Sequence, residues 1–266
     1  MAETGSYQTL EVTRGPEGHV VTVVLNRPDV LNAINTQTGR DLVACFQAVA
    51  GDPQARAVVL GGAGQKAFCV GGDLKERQGM SDEAWRAQHV IFEHASWGIL
   101  HCPVPVIAAV EGFAMGGGCE LALAADFIVA GETAVFALTE TTLGIFPGIG
   151  GPLFMPRAVG RQLAKELIFT GRRMPVAEAR AAGMVNHVVP AGEARKKAEE
   201  IAATIAKNGP LAVRQVKKVI NRGMEADIET AFILALEAYN LCVQSEDRVE
   251  GVRAFNEKRP PRYRGR

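Results

Sequence analysis

Three consecutive glycines, Gly116 to Gly118, stand directly before a carboxylate, Glu120, at the start of an apolar segment. Glycine allows the backbone to approach a ligand closely, and the first N–H groups of a helix have no partner within that helix. Such groups stabilise an oxygen that gains negative charge during a reaction. The loop AFCVGGD (67–73) has the same potential, so each loop could supply one N–H to a carbonyl oxygen. The alternative is that the glycines only permit tight helix packing.

A second carboxylate, Glu140, lies in another apolar segment, FALTETTLGIFPG (136–148). Two carboxylates beside two N–H loops could orient a water molecule and move a proton. Each carboxylate also has a structural interpretation. Glu120 could accept N–H groups of its own helix as a cap, and Glu140 could be one half of a buried structural pair.

Other common catalytic motifs are missing from the sequence. No glycine segment matches the dinucleotide fingerprint, and Lys66 is followed by Ala67 instead of the Ser or Thr of a phosphate-binding loop. The sequence contains neither HExxH nor GxSxG, which argues against a metalloprotease or a serine hydrolase. His89 and His94 are interpreted as solvent-facing residues of a helix, and Asp73 as the cap of a helix that starts near Leu74.

Composition narrows the class of protein further. The 266 residues are 47% hydrophobic, and 29 basic residues balance 29 acidic ones, so there is no net field to attract nucleic acid or an anionic membrane. Five cysteines without a CxxC spacing argue against a disulfide framework and against a zinc site. With no targeting segment or membrane span in view, we expect a cytoplasmic protein with no metal site.

Two patterns divide the chain. Short β-branched runs, which predict strands, alternate with helical segments such as TQTGRDLVACFQAVAG (36–51), and this alternation is typical of an α/β fold. The strand runs are GHVVTVVL, ARAVVLGG, VPVIAAVEG, DFIVAG and NHVV. After about residue 160 the sequence predicts successive amphipathic helices separated by Gly, Pro or Asn.

Four segments in order along the chain resemble the crotonase superfamily, and specifically enoyl-CoA hydratases. They are LNRPDVLNAI (25–34), KAFCVGGDLKE (66–76), GFAMGGGCELALAAD (112–126) and FALTETTLGIFPGIGG (136–151). The segment AFNEKRPPRYRG (254–265) is similar to the family's closing segment. Subfamily features conflict: DLKER, LAKELIF, GMEADI and EKRPPRYRG resemble methylglutaconyl-CoA hydratases, whereas LAADFIVAGETAVFALTE and TGRRM resemble carnitinyl-CoA dehydratases.

The resemblance implies a spiral of ββα units with a C-terminal helical region that assembles trimers, commonly paired into hexamers. Residues 1–200 would form the acyl-CoA-binding core, and residues 201–266 would serve oligomerisation and closure of the CoA site. The implied activity is the syn addition of water to a 2-enoyl-CoA thioester without a cofactor, because coenzyme A is part of the substrate. An enoyl-CoA isomerase, an acyl-CoA hydrolase or a non-catalytic CoA-thioester-binding protein remains an alternative.

The resemblance also implies residue roles. The backbone N–H groups of Val70 and Gly117 would form the oxyanion hole, Glu120 would activate the water, and Glu140 would donate a proton to the α-carbon. Further substrate contacts would come from Val30, Leu31, Ala33, Lys66, Ala67, Gly71, Gly72, Asp73, Leu74, Gly116, Gly148, Phe255 and Lys258, the last two reaching a neighbouring subunit's CoA. An apolar acyl pocket is expected from Trp85, Phe92, Trp97, Phe232 and Leu236.

Overall fold

Two β-sheets form the centre of the protein, which is known from a computed structural model that describes residues 7–266. The larger sheet contains β1 (Leu10–Arg14), β2 (Val20–Leu25), β3 (Ala57–Gly62), β5 (Val106–Val110), β7 (Phe127–Gly131) and β10 (His187–Val189), in that order. The smaller sheet contains β4 (Ala67–Cys69), β6 (Phe113–Met115), β8 (Val135–Ala137) and β9 (Met174–Pro175). Neighbouring strands are parallel except for the pairs β1–β2 and β8–β9.

Eleven helices are present in residues 7–266. They are α1 (Thr36–Gly51), α2 (Leu74–Arg77), α3 (Asp82–Leu100), α4 (Gly117–Ala124), α5 (Gly151–Val159), α6 (Arg161–Thr170), α7 (Val176–Ala181), α8 (Ala194–Ala206), α9 (Pro210–Gly223), α10 (Ile228–Val243) and α11 (Glu246–Asn256). Single 3-10 turns occur at Pro28–Val30 and Glu140–Leu143. None of the helices in this part of the chain is both long and apolar enough to cross a membrane.

The chain passes repeatedly from the large sheet to the small sheet and then into a helical segment. Strand β3 is followed by β4, α2 and α3, then β5 by β6 and α4, and β7 by β8 and α5. This repetition confirms the predicted crotonase-like spiral of ββα units in an α/β fold. All five predicted strand runs lie in the large sheet, whereas the small sheet was not predicted. Its strands have only two or three residues, which is too short to show an alternating pattern.

The four central strands of the large sheet, β2, β3, β5 and β7, are buried on both faces, which explains their nearly continuous apolar runs. In β3, Val58 and Leu60 pack in the core that includes α1 and α3, while Ala57 and Val59 face α8. Helix α8 contributes one alanine per turn to this second core: Ala194, Ala198, Ala202 and Ala206. The helix passes through residue 200, where the sequence predicts a domain boundary, and that division stays a prediction.

The segment before α1 is held against the loop after β4. Arg27 forms an ion pair with Asp73 at 3.0 Å and donates to the carbonyl of Ala33 at 2.6 Å. Asp73 also accepts the backbone N–H groups at the start of α2, which confirms its predicted role as a cap. These contacts fix the loop that carries Val70 to Gly72.

Candidate active site

The three glycines at the start of α4 differ in whether the local structure requires a glycine. Gly116 has φ +51° and ψ −128°, a conformation that favours glycine. A Cβ on Gly118 would lie 2.1 Å from the carbonyl oxygen of Cys69, so packing requires glycine there. A Cβ on Gly117 would make only ordinary contacts of 3.6 Å. Packing therefore explains Gly118 but not Gly117.

The two N–H loops lie directly against each other. Strands β4 and β6 are parallel neighbours, so the loops that follow them leave the small sheet at the same edge. A Cβ on Gly71 would lie 2.9 Å from the backbone nitrogen of Gly117, and Gly71 has φ +87°. Within residues 7–266, the N–H groups of Val70 and Gly117 donate no hydrogen bond to another residue. Both donors are therefore available to a ligand.

Glu120 is only 2% exposed and is bound by the start of another helix. Its Oε1 accepts the N–H of Ile149 at 3.0 Å and that of Gly151, the first residue of α5, at 2.7 Å. The interpretation of Glu120 as a cap of its own helix is therefore wrong, because its side chain extends from the buried face of α4 towards α5. Burial raises its pKa to about 7; the N–H of Gly151 opposes this shift and Glu140 adds to it.

Glu140 begins the 3-10 turn after β8 and lies beside the start of α4. Its Oε1 is 2.9 Å from the position that a Cβ on Gly116 would occupy. Burial raises the pKa of Glu140, whereas a backbone hydrogen bond and the nearby Arg77 lower it. Its Oε2 is buried and has no hydrogen-bond partner among residues 7–266. The alternative of a paired structural carboxylate is not supported, since nothing in this part of the chain pairs with that oxygen.

Both carboxylates line one cavity of ≈ 300 Å³. Seven of the other expected site residues line it as well: Val70, Gly71, Gly72, Leu74, Gly116, Gly117 and Gly148. The wall is completed by Ile34, Arg77, Trp85, Arg86, His89, Phe92, Thr139, Leu143, Ile145, Phe146 and Ile149. The fold thus brings the predicted carboxylates and the predicted N–H donors to one place.

Eight expected contact residues lie outside this cavity: Val30, Leu31, Ala33, Lys66, Ala67, Asp73, Phe255 and Lys258. Val30, Leu31 and Ala33 belong to the segment before α1. Lys66 precedes β4, Ala67 is its first residue, and Asp73 caps α2. Phe255 is 83% exposed near the end of α11, and Lys258 follows that helix with φ +53°. Contact of these residues with CoA stays a prediction.

The prediction of which apolar side chains line the acyl pocket is partly wrong. Trp85 and Phe92 line the cavity, but Trp97, Phe232 and Leu236 do not. Trp97 in α3 and the two residues of α10 are all exposed in this chain. Sequence alone does not reveal which side of an apolar helix meets the cavity.

Sequence reasoning missed three cationic or basic residues of the wall: Arg77, Arg86 and His89. The ring of His89 lies over Gly148, whose Cβ would stand 2.3 Å from the ring Cε1. Its Nε2 is 3.1 Å from Glu93. The interpretation of His89 as solvent-facing is therefore wrong, because α3 runs over the loop before α5, a contact for which the sequence carries no signal. His94 is exposed, as predicted.

No group of three or more His, Cys, Asp or Glu side chains in residues 7–266 is arranged to hold a metal ion.

The sequence and the fold match one known protein family. The model of the family described as enoyl-CoA hydratase/isomerase matches residues 15–266. The chain belongs to the enoyl-CoA hydratase/isomerase family. This family is part of the crotonase superfamily, as the four sequence segments predict.

Individual relatives in this family cover nearly the whole chain. The short-chain-enoyl-CoA hydratase of Clostridium acetobutylicum is 41% identical over 91% of this chain and 93% of its own. The mouse enoyl-CoA hydratase domain-containing protein 2, a mitochondrial protein, is 40% identical over 97% of this chain and 88% of its own. The crystal structure of an enoyl-CoA hydratase from Bacillus anthracis superposes with a TM-score of 0.95 at 43% identity, covering 97% of this chain and all of that one.

Proposed function

We propose that this chain is an enoyl-CoA hydratase that adds water syn across the double bond of a 2-enoyl-CoA thioester. The observation that carries this proposal is the shared cavity. Two buried carboxyl groups, Glu120 and Glu140, line it together with Val70 and Gly117, whose N–H groups are free of other partners. Relatives named enoyl-CoA hydratase, about 40% identical over most of the chain, support the same activity.

The N–H groups of Val70 and Gly117 would bind the thioester carbonyl oxygen. As hydroxide adds to the β-carbon, charge moves onto that oxygen and an enolate forms. Two fixed donors stabilise the enolate, and each such donor typically contributes about 3–4 kcal/mol to lowering the barrier. Gly117 is also the first residue of α4, so the positive end of the helix dipole adds to the effect.

The two carboxyl groups would complete the proton transfers. We assign Glu120 as the base that takes a proton from water, because the N–H groups of Ile149 and Gly151 favour its ionised form. Glu140 would donate a proton to the α-carbon, since no donor supports a carboxylate at its buried Oε2. Glu120 gains one proton and Glu140 loses one, so the net charge of the pair is unchanged. A proton passed from Glu120 to Glu140 then restores the starting protonation state of both groups.

The alternatives are less well supported by the same cavity. An isomerase only moves a proton along the acyl chain, and enzymes of that kind generally keep one of the two glutamates, whereas both line the cavity here. A non-catalytic CoA-thioester-binding protein would be favoured if the carboxylates pointed away from the cavity. An acyl-CoA hydrolase would place water at the thioester carbon, which Val70 and Gly117 would allow but which does not need two carboxylates.

A panel of enoyl-CoA thioesters tests the proposal. Hydration removes the conjugated double bond, so the ultraviolet absorbance of that chromophore falls at a rate proportional to the enzyme concentration. Free thiol, followed in parallel with a thiol reagent, would identify a hydrolase, and a product with its double bond shifted to the 3-position would identify an isomerase. Thioester binding without any turnover would leave only the binding protein.

The remaining features of the proposal concern assembly and conditions. We propose a reaction without metal or redox cofactor, in the cytoplasm, where the five free cysteines would remain reduced. We also propose a homotrimer or a dimer of trimers, assembled through residues 201–266, in which Phe255 and Lys258 reach the CoA of a neighbouring subunit. Exposed apolar side chains along α10 support an assembly surface there.

A further inference from the structure

The loop that binds Glu120 has a glycine-rich backbone that other elements must fix. It comprises residues 147–151, with the sequence PGIGG, and Gly150 has φ +128°. Glycines leave a backbone many conformations. The Ile149 side chain is buried in the core, which fixes where the loop lies but not how its peptide planes are turned. The N–H groups of Ile149 and Gly151 both bind Glu120, so the loop needs a further contact to set their direction.

Ser96, in the second half of α3, supplies that contact. Its Oγ donates to the carbonyl of Ile149 at 2.7 Å, although the two residues are 53 apart in sequence. A serine within a helix commonly bonds a carbonyl of its own preceding turn, so this long-range bond departs from the local pattern. Ser96 is 2% exposed, and no backbone N–H among residues 7–266 donates to the same carbonyl. The hydroxyl therefore satisfies a carbonyl of the loop that has no other donor there.

The peptide between Ile149 and Gly150 connects this hydroxyl to Glu120. A trans peptide is planar, and its C=O and N–H groups point in opposite directions. The carbonyl of this peptide points to Ser96, so its N–H, which belongs to Gly150, points away from α3. Burial raises the pKa of Glu120, and the N–H groups of Gly151, Ile149 and Gly150 all lower it. Ser96 and Glu120 therefore contact the same peptide from opposite sides.

Core packing fixes the position of Ser96 in turn. Phe92 and Ile99, which flank Ser96 in α3, are both buried in the main core. His89, seven residues before Ser96 and so on the same face of the helix, covers Gly148 of the loop. Ser96 itself does not line the cavity. Its hydroxyl can therefore affect the reacting groups through the loop but does not touch the substrate.

We propose that Ser96 is a positioning residue for the hydration reaction, whose hydroxyl turns the peptide between Ile149 and Gly150 so that the loop presents its N–H groups to Glu120. This inference rests on the proposed hydratase function and adds a residue to its site. With the loop fixed, the carboxylate of Glu120 is aligned and ionised, as a base that takes a proton from water must be. Without the hydroxyl, the carbonyl of Ile149 has no donor, and the peptide rotates out of alignment with Glu120.

Ser96→Ala in the full-length protein tests this inference, with but-2-enoyl-CoA as the substrate. We would measure kcat and KM from about pH 5.5 to 9.5, because the acid limb of kcat/KM reports the ionisation of the essential base. The pKa of Glu120 should rise in this variant, so the acid limb should move to higher pH by about one unit. At pH 7, kcat should fall by about 5- to 20-fold, since fewer carboxylates are ionised and the ionised ones are misaligned. KM should change by less than about twofold, because Ser96 lies outside the cavity.

Two further variants separate positioning from a purely structural role. Ser81→Ala is the matched control, because it makes the same change in the same helix, where Ser81 is exposed and caps the first turn. It should lower stability without moving the acid limb. The second variant combines Ser96→Ala with Glu120→Gln. Since Ser96 acts through Glu120, the added Ser96→Ala should lower kcat of Glu120→Gln by less than about twofold.

Glu120 shares its surroundings with other groups that titrate or carry charge. Those that line the same cavity or adjoin Glu120 in α4 are Glu140, Arg77, Arg86, His89 and Cys119. An acid limb that persists in Glu120→Gln would belong to one of these groups. If Ser96→Ala moved that persisting limb, the shift would not come from Glu120 and the inference would be overturned.

The outcomes separate the two proposals. If the wild type hydrates neither but-2-enoyl-CoA nor a longer 2-enoyl-CoA, the proposed function fails and the inference fails with it. If the wild type is active but Ser96→Ala keeps the native acid limb and kcat per folded molecule, only the inference is overturned. The stoichiometry of 3-hydroxybutanoyl-CoA binding counts the folded molecules. If Ser96→Ala does not fold, Ser96→Cys, with a weak donor of similar size, should shift the acid limb in the same direction, and an unchanged limb would overturn the inference.

Discussion

Helices α8 and α10 use apolar residues in opposite ways. In α8 one alanine per turn packs on the large sheet, and these side chains are buried. In α10 the only buried residue is Ala238, while Ile228 is 81% and Phe232 64% exposed. The first helix completes the body that carries the cavity, and the second presents its apolar residues outward.

This difference between α8 and α10 separates the proposed catalytic residues from the proposed assembly surface. Glu120, Glu140 and the two N–H donors belong to elements packed in the body, so their geometry is complete within one chain. The exposed residues of α10 have no cover in residues 7–266, which supports the proposal that a second copy of the chain covers them. Substitutions in the body should therefore change the chemistry, and substitutions on α10 should change assembly first.

The largest expected effect comes from Gly117→Pro in the body. Proline removes the N–H of the first residue of α4 while remaining compatible with that helical position. Turnover should fall by about 100- to 1000-fold, the scale for one oxyanion donor. Gly117→Ala is the control, since a Cβ there has room at 3.6 Å and the N–H is kept. The measurement is the steady-state rate of both variants. Near-native turnover of the proline variant would show that Gly117 is not part of the oxyanion hole.

The next largest effect comes from the carboxylates. Glu120→Gln and Glu140→Gln should each lower kcat by about 100-fold or more, because an amide cannot take the proton from water or donate one to carbon. The double variant should be little worse than the poorer single variant, since the two groups act as one unit. Initial rates and product-CoA affinity are the measurements. Multiplicative losses would mean that the carboxylates act in independent steps.

A substitution on the exposed surface of α10 tests whether this helix forms the assembly surface. Phe232→Asp should convert the proposed trimers into monomers, as measured by light scattering after size-exclusion chromatography. We expect kcat/KM to fall by about 10-fold, because Phe255 and Lys258 would no longer reach a neighbour's CoA, a loss of about 1.4 kcal/mol of binding. Lys196→Glu, on the exposed face of α8, is the control. A wild-type monomer, or an unchanged mass for Phe232→Asp, would contradict this assembly surface.

A smaller effect on stability follows from the raised pKa of Glu120. The folded protein holds this proton with a pKa of about 7 against an ordinary value of 4.5. Its contribution to stability is therefore full below about pH 4.5 and is lost as the pH rises through 7. Glu120→Gln keeps an acceptor for Ile149 and Gly151 without the charge, so it should be more stable than the wild type by about 1–3 kcal/mol at pH 8.

This gain should disappear towards pH 4.5. Denaturant unfolding at both pH values measures it, and Glu83→Gln, at an exposed residue, should show no comparable change. A variant that is less stable than the wild type at pH 8 would show that the N–H groups of Ile149 and Gly151 need the carboxylate.

The smallest expected effect is that of a chelator. In the proposed mechanism two carboxylates and two N–H donors suffice for hydration, so dialysis against a chelator should leave kcat unchanged. Loss of activity that zinc or magnesium restores would contradict the two-carboxylate mechanism proposed for Glu120 and Glu140.

The sequence by itself determined five strands of the large sheet, the helical character of the C-terminal third and the family. The apolar runs of the central strands β2, β3, β5 and β7 are buried on both faces, so each is long and continuous enough to be recognised. Asp73 caps α2 as its position predicts. The motifs around Glu120 and Glu140 have local spacings that the family resemblance identifies. Strands, helix caps and motifs are determined by residues close together in the chain, so the sequence shows them directly.

Only the tertiary structure decided which side chains meet. Glu120 binds the start of α5 instead of its own helix, His89 covers Gly148, and Arg77 enters the cavity between two aromatic rings. The short strands that bring the loops at Val70 and Gly117 together were not predicted either, because they are held by neighbouring strands and not by their own periodicity. Contacts between distant segments depend on how the spiral closes, and no local pattern of residue types records that geometry.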